Sequence, residues 1–445
     1  MWVKELTLEN IRCFEKKATI KLSESSTPCR WITFLGENGG GKTTAIQALG
    51  LLLAGPEGAQ KLLSRPMGWV RNEDFKGMIS IRIHQGEGDP GRFGEQRIHR
   101  FFGYTYFLTG SKPITIRNQK FTEPTIIENK EKRLTWLRQN AFTSKGTGWF
   151  AVGYGPFRRL TRSSQIIVPS LDPQARFTNF TTQFDEDQPS ATFERWMVYL
   201  DYRIAKGQDK AEAERQKTLG VAAINKVLPD GVQFDSVTSE GRILFNMGGQ
   251  KVPTIALSDG YRSILALVGD LFWRLFLAFP ESNNPLNEEG VVLIDELDIH
   301  LHPIWQRNIA GWLREQFPNL QFIVATHSPL IAAGAGEDAL TWRFILEDGK
   351  TTVEKVENIA AMNVDRILQS KAFGLVSPYS PQTQKKLDLY DTLVRKKRRT
   401  LAEENEMQAV LEFMKTARPL GTHSEPNSLD ARIDAYLDKV LDDQN

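Results

Sequence analysis

Residues 31–54 read WITFLGENGGGKTTAIQALGLLLA. The apolar run WITFL predicts a short strand. It leads into Gly36-Glu37-Asn38-Gly39-Gly40-Gly41-Lys42-Thr43, which fits G-x-x-x-x-G-K-[ST]. From Thr44 the spacing is helical and stops at the breaker pair Gly55-Pro56. A strand, a glycine-rich loop and a helix in that order are the context in which this pattern binds phosphate. Glycines let backbone N–H groups converge on a phosphate. The helix N-terminus adds partial positive charge. Lys42 can reach the β- and γ-phosphate oxygens, and Thr43 can ligate Mg²⁺. A chance glycine-rich turn before a helix is the bland alternative, and eight matching residues in the right context disfavour it. The expectation is an α/β nucleotide-binding fold. Gly36, Asn38, Gly39, Gly40, Gly41, Lys42, Thr43 and Thr44 would line the phosphates.

A second stretch, GVVLIDE at 290–296, completes the site. A buried apolar strand can aim the carboxylates at its end toward the loop. Asp295 would hold Mg²⁺ through its water shell, because Mg²⁺ dehydrates reluctantly. Glu296 is placed to polarise an attacking water. A strand-end acidic pair alone could equally cap the next element; beside a phosphate loop the catalytic reading is favoured.

Three further motifs lie in a telling order. Leu257-Ser258-Asp259-Gly260-Tyr261 precedes a long apolar helix, Leu297 to Pro303 (LDIHLHP) follows the acidic pair, and Ala325-Thr326-His327-Ser328-Pro329 follows another apolar strand. Together they resemble the signature, D-loop and switch-histidine motifs of ABC-type ATPases. The resemblance implies ATP and Mg²⁺ as ligands. It implies that Ser258 and Gly260 contact the γ-phosphate of ATP held by a second subunit, hence a homodimer or higher homo-oligomer with composite sites. His327 would be catalytic alongside Glu296 and Lys42. Asp259 and Tyr261 depart from the common LSGGQ form, so the side chains that supplement Ser258 are open. The glutamine that usually follows a neighbouring strand is open too: Gln85 and the GYGPFRR stretch at 153–159 both qualify by position.

The opening ELTLENIRCF resembles the start of RecF, SMC and OLD-type ATPases, in which a basic residue near this turn approaches the nucleotide; Arg12 is that residue here. Between Lys42 and Ser258 there are no sustained heptads, unlike the coiled-coil members of the group. A TOPRIM nuclease would need a strand-end glutamate followed by Asp-x-Asp. Glu347 is followed by no such pair, and Asp185 and Asp187 lie upstream in a polar loop. The chain therefore resembles the stand-alone ATPase subunits of bacterial antiphage systems, in particular the Septu group. That resemblance covers roughly residues 1–375. It implies a sensor or scaffold subunit controlling a separate nuclease, HNH type rather than TOPRIM, and engaging DNA. A RecF-like repair ATPase and an OLD-type ATPase paired with a TOPRIM effector are the alternatives.

The remaining sequence bounds these readings. Among 445 residues, 40% are hydrophobic and 25% charged, an ordinary globular balance. The formal net charge of +2 gives no global mandate for nucleic acid, so any contact must be local. Arg395 to Arg399 form the densest basic run, expected within a helix, and Arg158, Arg159 and Arg162 a smaller set. Both are as compatible with a solvated face as with a phosphate backbone. Cys13 and Cys29 cannot staple a secreted scaffold, and the start lacks a signal-peptide core, which predicts a cytoplasmic protein. The most apolar helix, near Ile264 to Phe279, is interrupted by Asp270 and Arg274, so no membrane span is expected.

The expected architecture is an ABC-type P-loop NTPase head at 1–375. Within it lie an antiparallel β lobe at 69–150 and a helical insertion at 191–226 forming the signature lobe. A charged C-terminal helical region at 376–445 would meet a partner.

Overall fold

The computed structural model describes residues 1–24, 27–86, 89, 101–129, 131–143, 149–156, 175–185, 192–228, 231–357, 359–362, 364–370, 373–375, 377, 379–396 and 398–416. Contacts divide the chain into two units, Met1–Gly374 and Leu375–Asn445.

The first unit is organised by a six-stranded sheet. Its order is Lys350–Val356, Leu340–Glu347, Trp31–Gly36, Leu320–Ala325, Gly290–Ile294 and Phe150–Tyr154. The first pair is antiparallel, closed by a tight hairpin with Asp348 and Gly349 at positive φ. The other neighbours are parallel, in registers such as Phe322 with Trp31 and Gly290 with Phe150. Parallel strands are buried on both faces, so each reads as a continuous apolar run. Gly290–Ile294 and Leu320–Ala325 are buried along their full length. The carboxyl ends of the parallel strands share one rim, and loops there form the ligand site in open α/β sheets.

A second, antiparallel sheet orders Ala18–Lys21, Trp2–Glu9, Gly77–His84, Phe101–Leu108 and Ile126–Glu128. The helix Lys42–Ala54 packs against strands of both sheets and is buried nearly all round, as its apolar composition requires. The Tyr104 hydroxyl donates to the Leu52 carbonyl at 2.6 Å and pins the helix to this lobe. The helix ends at Ala54 with Gly55 as its non-helical cap, as expected, and Pro56 then opens a short second helix, Pro56–Leu62.

The β lobe differs from its expected extent. It recruits the first two strands of the chain, whereas Phe150–Tyr154 joins the parallel sheet instead. A helix at Lys132–Asn140 interrupts the run of strands. The signature lobe contains Thr192–Lys206 and Lys210–Val227, a small sheet of Val232–Val237, Ile243–Met247 and Gln250–Pro253, and the long helix Asp259–Ala278. Trp196 is its pivot: it packs on Phe272 and Phe276, and only a glycine fits at 220, where a Cβ would stand 2.7 Å from the indole.

The second unit shows a helical hairpin, Pro381–Arg395 and Leu401–Thr416. Ser380 caps its first helix, accepting from the Thr383 amide at 3.1 Å. Lys386 lies over the Phe413 ring. Of the described residues that follow Arg395 in the basic run, Lys396, Arg398 and Arg399 are not helical. Arg399 turns back and donates to the Leu393 carbonyl, and Lys396 pairs with Glu403, so two of its charges serve the inter-helix turn. Arg158, Arg159, Arg162, Asp187 and residues 417–445 lie outside the described residues.

Candidate functional site

The glycine-rich loop leaves the central strand and wraps its own lysine. The Lys42 ammonium donates to the Gly36 carbonyl at 2.8 Å and to the Glu37 carbonyl at 2.9 Å. Gly36, Gly39 and Gly41 all take positive φ. The glycine at 41 is obligatory twice over: its φ is 95°, and a Cβ there would stand 2.6 Å from Cys13 Sγ and 2.8 Å from the Phe14 ring. Thr351 Oγ1 donates to the Gly40 carbonyl from the neighbouring hairpin and steadies the loop. Asn38 and Gly39 are exposed at the tip, Thr43 is half-buried at the first turn of the helix, and Thr44 is buried.

Burial pushes the Lys42 ammonium down to about 8, against the opposing pull of Asp295, Glu296, Asp298 and Glu37. Four carboxylates from two loops thus act on one buried cation. Asp295 is 3% exposed at the end of its strand, and its amide donates to the Tyr154 carbonyl at 2.9 Å. Glu296 follows with φ 48°, a conformation a non-glycine residue adopts only when its surroundings enforce it. The Leu297 amide, donating to the Ala325 carbonyl at 3.1 Å, holds the far side of that turn.

Asp298, to which sequence reasoning assigned no role, latches the switch loop. Its carboxylate accepts from Thr326 Oγ1 and from the His327 amide. Ser328 caps the next helix and donates to Gln306. His327 is half-buried, and burial together with the nearby Lys42 charge lowers its pKa below the ordinary histidine value. Lys42, Asp295, Glu296 and His327 therefore share one electrostatic site.

Arg12, in the turn after the first strand of the antiparallel sheet, reaches the helix that follows the glycine-rich loop. Its guanidinium lies 4.3 Å from the Trp69 ring centroid and donates to Gln47 at 3.1 Å and Thr44 at 3.4 Å, one turn into the loop's helix. Gln47 and Trp69 carried no sequence motif. Gln85 is at the wrong end of its strand. It follows His84, which pairs with Trp2, whereas Arg12 follows the other end of the Trp2–Glu9 strand. The other option, 153–159, does leave a sheet strand at the site rim, but residues beyond 156 are outside the described set.

Ser258 and Gly260 stand elsewhere, at the N-terminus of the signature helix. Ser258 is exposed in the cap position without a capping bond, and Asp259 pairs with Arg262 at 3.2 Å. Gly260 packs on the loop after Glu296: a Cβ would lie 2.7 Å from the His300 carbonyl, itself at φ 66°. Tyr261 meets Trp305 edge-on, so that tryptophan is a packing residue.

The phosphate loop, the strand-end acidic pair and the separate signature helix define the ABC type of ATPase fold. Residues 32–333 match the family described as "AAA domain, putative AbiEii toxin, Type IV TA system", and the chain belongs to it. It is similar to the Septu protein PtuA of Bacillus mycoides (strain KBAB4), 25% identical over 98% of this chain, and spans about half, 54%, of that protein. It is 24% identical to the Retron Vc95 probable ATPase of Vibrio cholerae serotype O1 biovar El Tor, across 74% of this chain and 71% of that one. Its fold resembles the SmcHead bound to the C-winged helix domain of ScpA, with a TM-score of 0.50 at 15% identity over 81% of this chain and 100% of that one. No described helix is long and apolar enough to cross a membrane.

Proposed function

We propose that this chain binds and hydrolyses Mg²⁺-ATP and acts as the ATP-dependent control subunit of an antiphage complex. The observation that carries the first part is the buried Lys42 among Glu37, Asp295, Glu296 and Asp298 at the rim of a parallel sheet. A cation taken out of water and ringed by carboxylates is arranged for a polyanion and its metal, not for stability. The donor set suits Mg²⁺: a hydroxyl at Thr43 and a buried carboxylate at Asp295, both oxygen ligands. When bound, Mg²⁺ neutralises charge on the phosphates. Lys42 and the loop amides orient the β- and γ-phosphates, Glu296 orients and deprotonates the attacking water, and His327 holds the γ-phosphate side of the site.

The exposed, uncapped Ser258 supports a head-to-tail dimer, in which it meets the nucleotide of a second copy. Ile255 and Ile304, 59% and 63% exposed, flank the signature and the loop after Glu296 and would be covered in that dimer. The names of the PtuA and retron relatives support the defence role. We assign to the 376–445 region the docking of a separate nuclease of the HNH type, with DNA as the target of the assembled complex.

The purified chain should hydrolyse ATP only with Mg²⁺, and a tagged chain expressed with its neighbouring genes should retain a nuclease. Absence of Mg²⁺-dependent hydrolysis would overturn the first part. ATPase activity without any nuclease association, or without phage protection in cells, would overturn the second.

A further inference from the structure

A buried polar cluster joins the signature helix to the strand beside the acidic pair. The Tyr154 hydroxyl donates to Asp270 Oδ2 at 2.9 Å, and Arg274 Nε donates to the same oxygen at 2.6 Å. Arg274 also donates to Asn179, whose side-chain amide donates to the Ala151 carbonyl at 3.1 Å. Asp270 is 2% exposed and Tyr154 5%. Burial, with Asp270 adding to it, keeps the tyrosine hydroxyl protonated and a donor. Charged groups in an apolar core are costly, and a helix needs none of them to pack there. A buried charged cluster of this kind is weak evidence for stability and suits a role in fixing the register of the helix on the strand.

What it fixes is specific. Tyr154 ends the strand Phe150–Tyr154, and its own carbonyl receives the Asp295 amide. The next residue, Glu296, is the one held at φ 48°. Asp270 lies on the helix that begins at Ser258, about 18 Å along it at ~1.5 Å per residue. One rigid element thus has the signature serine at its end and grips the anchor of the acidic pair in its middle.

We propose that Tyr154, Asp270 and Arg274 are positioning residues that set Asp295 and Glu296 according to the seating of the signature helix, so that docking of a second copy on Ser258 is felt at this chain's own hydrolytic carboxylates. The inference rests on the ATPase reading given above. None of the three is hydrogen-bonded to the phosphate loop among the described residues, so their loss is expected to act on hydrolysis before nucleotide affinity.

The test uses the full-length chain with Mg²⁺-ATP and compares wild type, Tyr154→Phe, Arg274→Lys, Lys42→Ala and Phe245→Leu. Tyr154→Phe and Arg274→Lys should bind a fluorescent ATP analogue within about threefold of wild type while kcat falls about tenfold or more, with KM little changed. Phe245, buried in the small sheet of the same lobe against Phe234, is not part of the cluster, and Phe245→Leu should lower the melting temperature with kcat retained. Wild-type kcat in folded Tyr154→Phe and Arg274→Lys overturns the proposal. So does an equal loss of kcat in Phe245→Leu at matched thermal destabilisation, which marks a structural role. Failure of both cluster variants to fold also overturns it, because the cluster is then a folding element. If wild type itself does not hydrolyse ATP, the ATPase reading fails first; if wild type hydrolyses and Lys42→Ala does not, a normal Tyr154→Phe sinks only the coupling.

Discussion

Replacing Lys42 by methionine should make the nucleotide-free protein more stable, and this follows from the geometry of its burial. The side chain is 5% exposed and titrates at about 8 rather than 10.5. At about 1.4 kcal/mol per pH unit, that gap means the charged form costs the folded state about 3 kcal/mol relative to a neutral chain of the same shape. The attraction of the four carboxylates is already included, because it opposes the shift. The two carbonyls that Lys42 occupies belong to half-buried Gly36 and exposed Glu37, so water can replace it there. Below pH 8 both folded and unfolded chains carry the proton, and the whole cost is present. Between 8 and 10.5 the folded chain releases the proton first, so wild type gains stability as pH rises. Melting curves at pH 7 and 9.5 check this. Lys42→Met should melt a few degrees above wild type at pH 7. The gap should narrow at pH 9.5. Wild type alone should gain a large ATP-dependent increase, since charge-assisted contacts of about 1.5–3 kcal/mol are lost in the variant. A variant that melts below wild type at pH 7, or that is still strongly stabilised by ATP, would refute the reasoning.

Glu296→Gln keeps the shape of the side chain and loses the charge that orients water, so it should bind ATP while hydrolysis slows by about 10²–10⁴-fold in a phosphate-release assay. Ser258→Arg should block hydrolysis and dimerisation without abolishing nucleotide binding, read by light scattering and analogue binding; a monomer with full activity contradicts composite sites. Because burial and Lys42 hold His327 below its ordinary value, its imidazole is neutral at pH 7. The acid limb of kcat should therefore fall below pH 6.5 and vanish in His327→Gln. Deleting residues 400–445 should leave ATP binding intact and abolish nuclease association and phage protection, measured as co-purification from the same sample; retained association moves the docking surface elsewhere.

The phosphate loop was legible because its chemistry is local: glycines, lysine and threonine are consecutive, and their strand and helix adjoin them. The signature helix was legible for the same reason. What the sequence could not show was pairing at a distance. Phe150–Tyr154 reads as a strand, but no periodicity says that its partner is Gly290–Ile294 in a parallel register. That pairing makes Tyr154 an anchor for Asp295. Gly55-Pro56 reads as a stop, yet Pro56 is also a good first residue of a helix, and Pro56–Leu62 takes that option. The basic run after Val394 looked helical from its charge pattern. The helix stops at Arg395, and Arg399 caps its end by donating to the Leu393 carbonyl. Lys132–Asn140 was missed because its weak apolar periodicity is embedded among strands.

Three strained backbone positions lie in the loops that carry the sequence motifs. Arg12, Glu296 and His300 all sit at positive φ, and none is a glycine. Each is held by bonds from a different element: the Arg12 amide donates to the Trp69 carbonyl, Leu297 beyond Glu296 binds the switch strand, and His300 packs against Gly260 of the signature turn. A residue in that region persists only when its surroundings over-determine it. Each of these positions therefore answers to a different neighbouring element: the β lobe, the switch strand and the signature helix. The buried Lys42 adds a charge penalty that a polyanion would remove. Coupling between nucleotide binding and the seating of those elements would require that both bias these same positions.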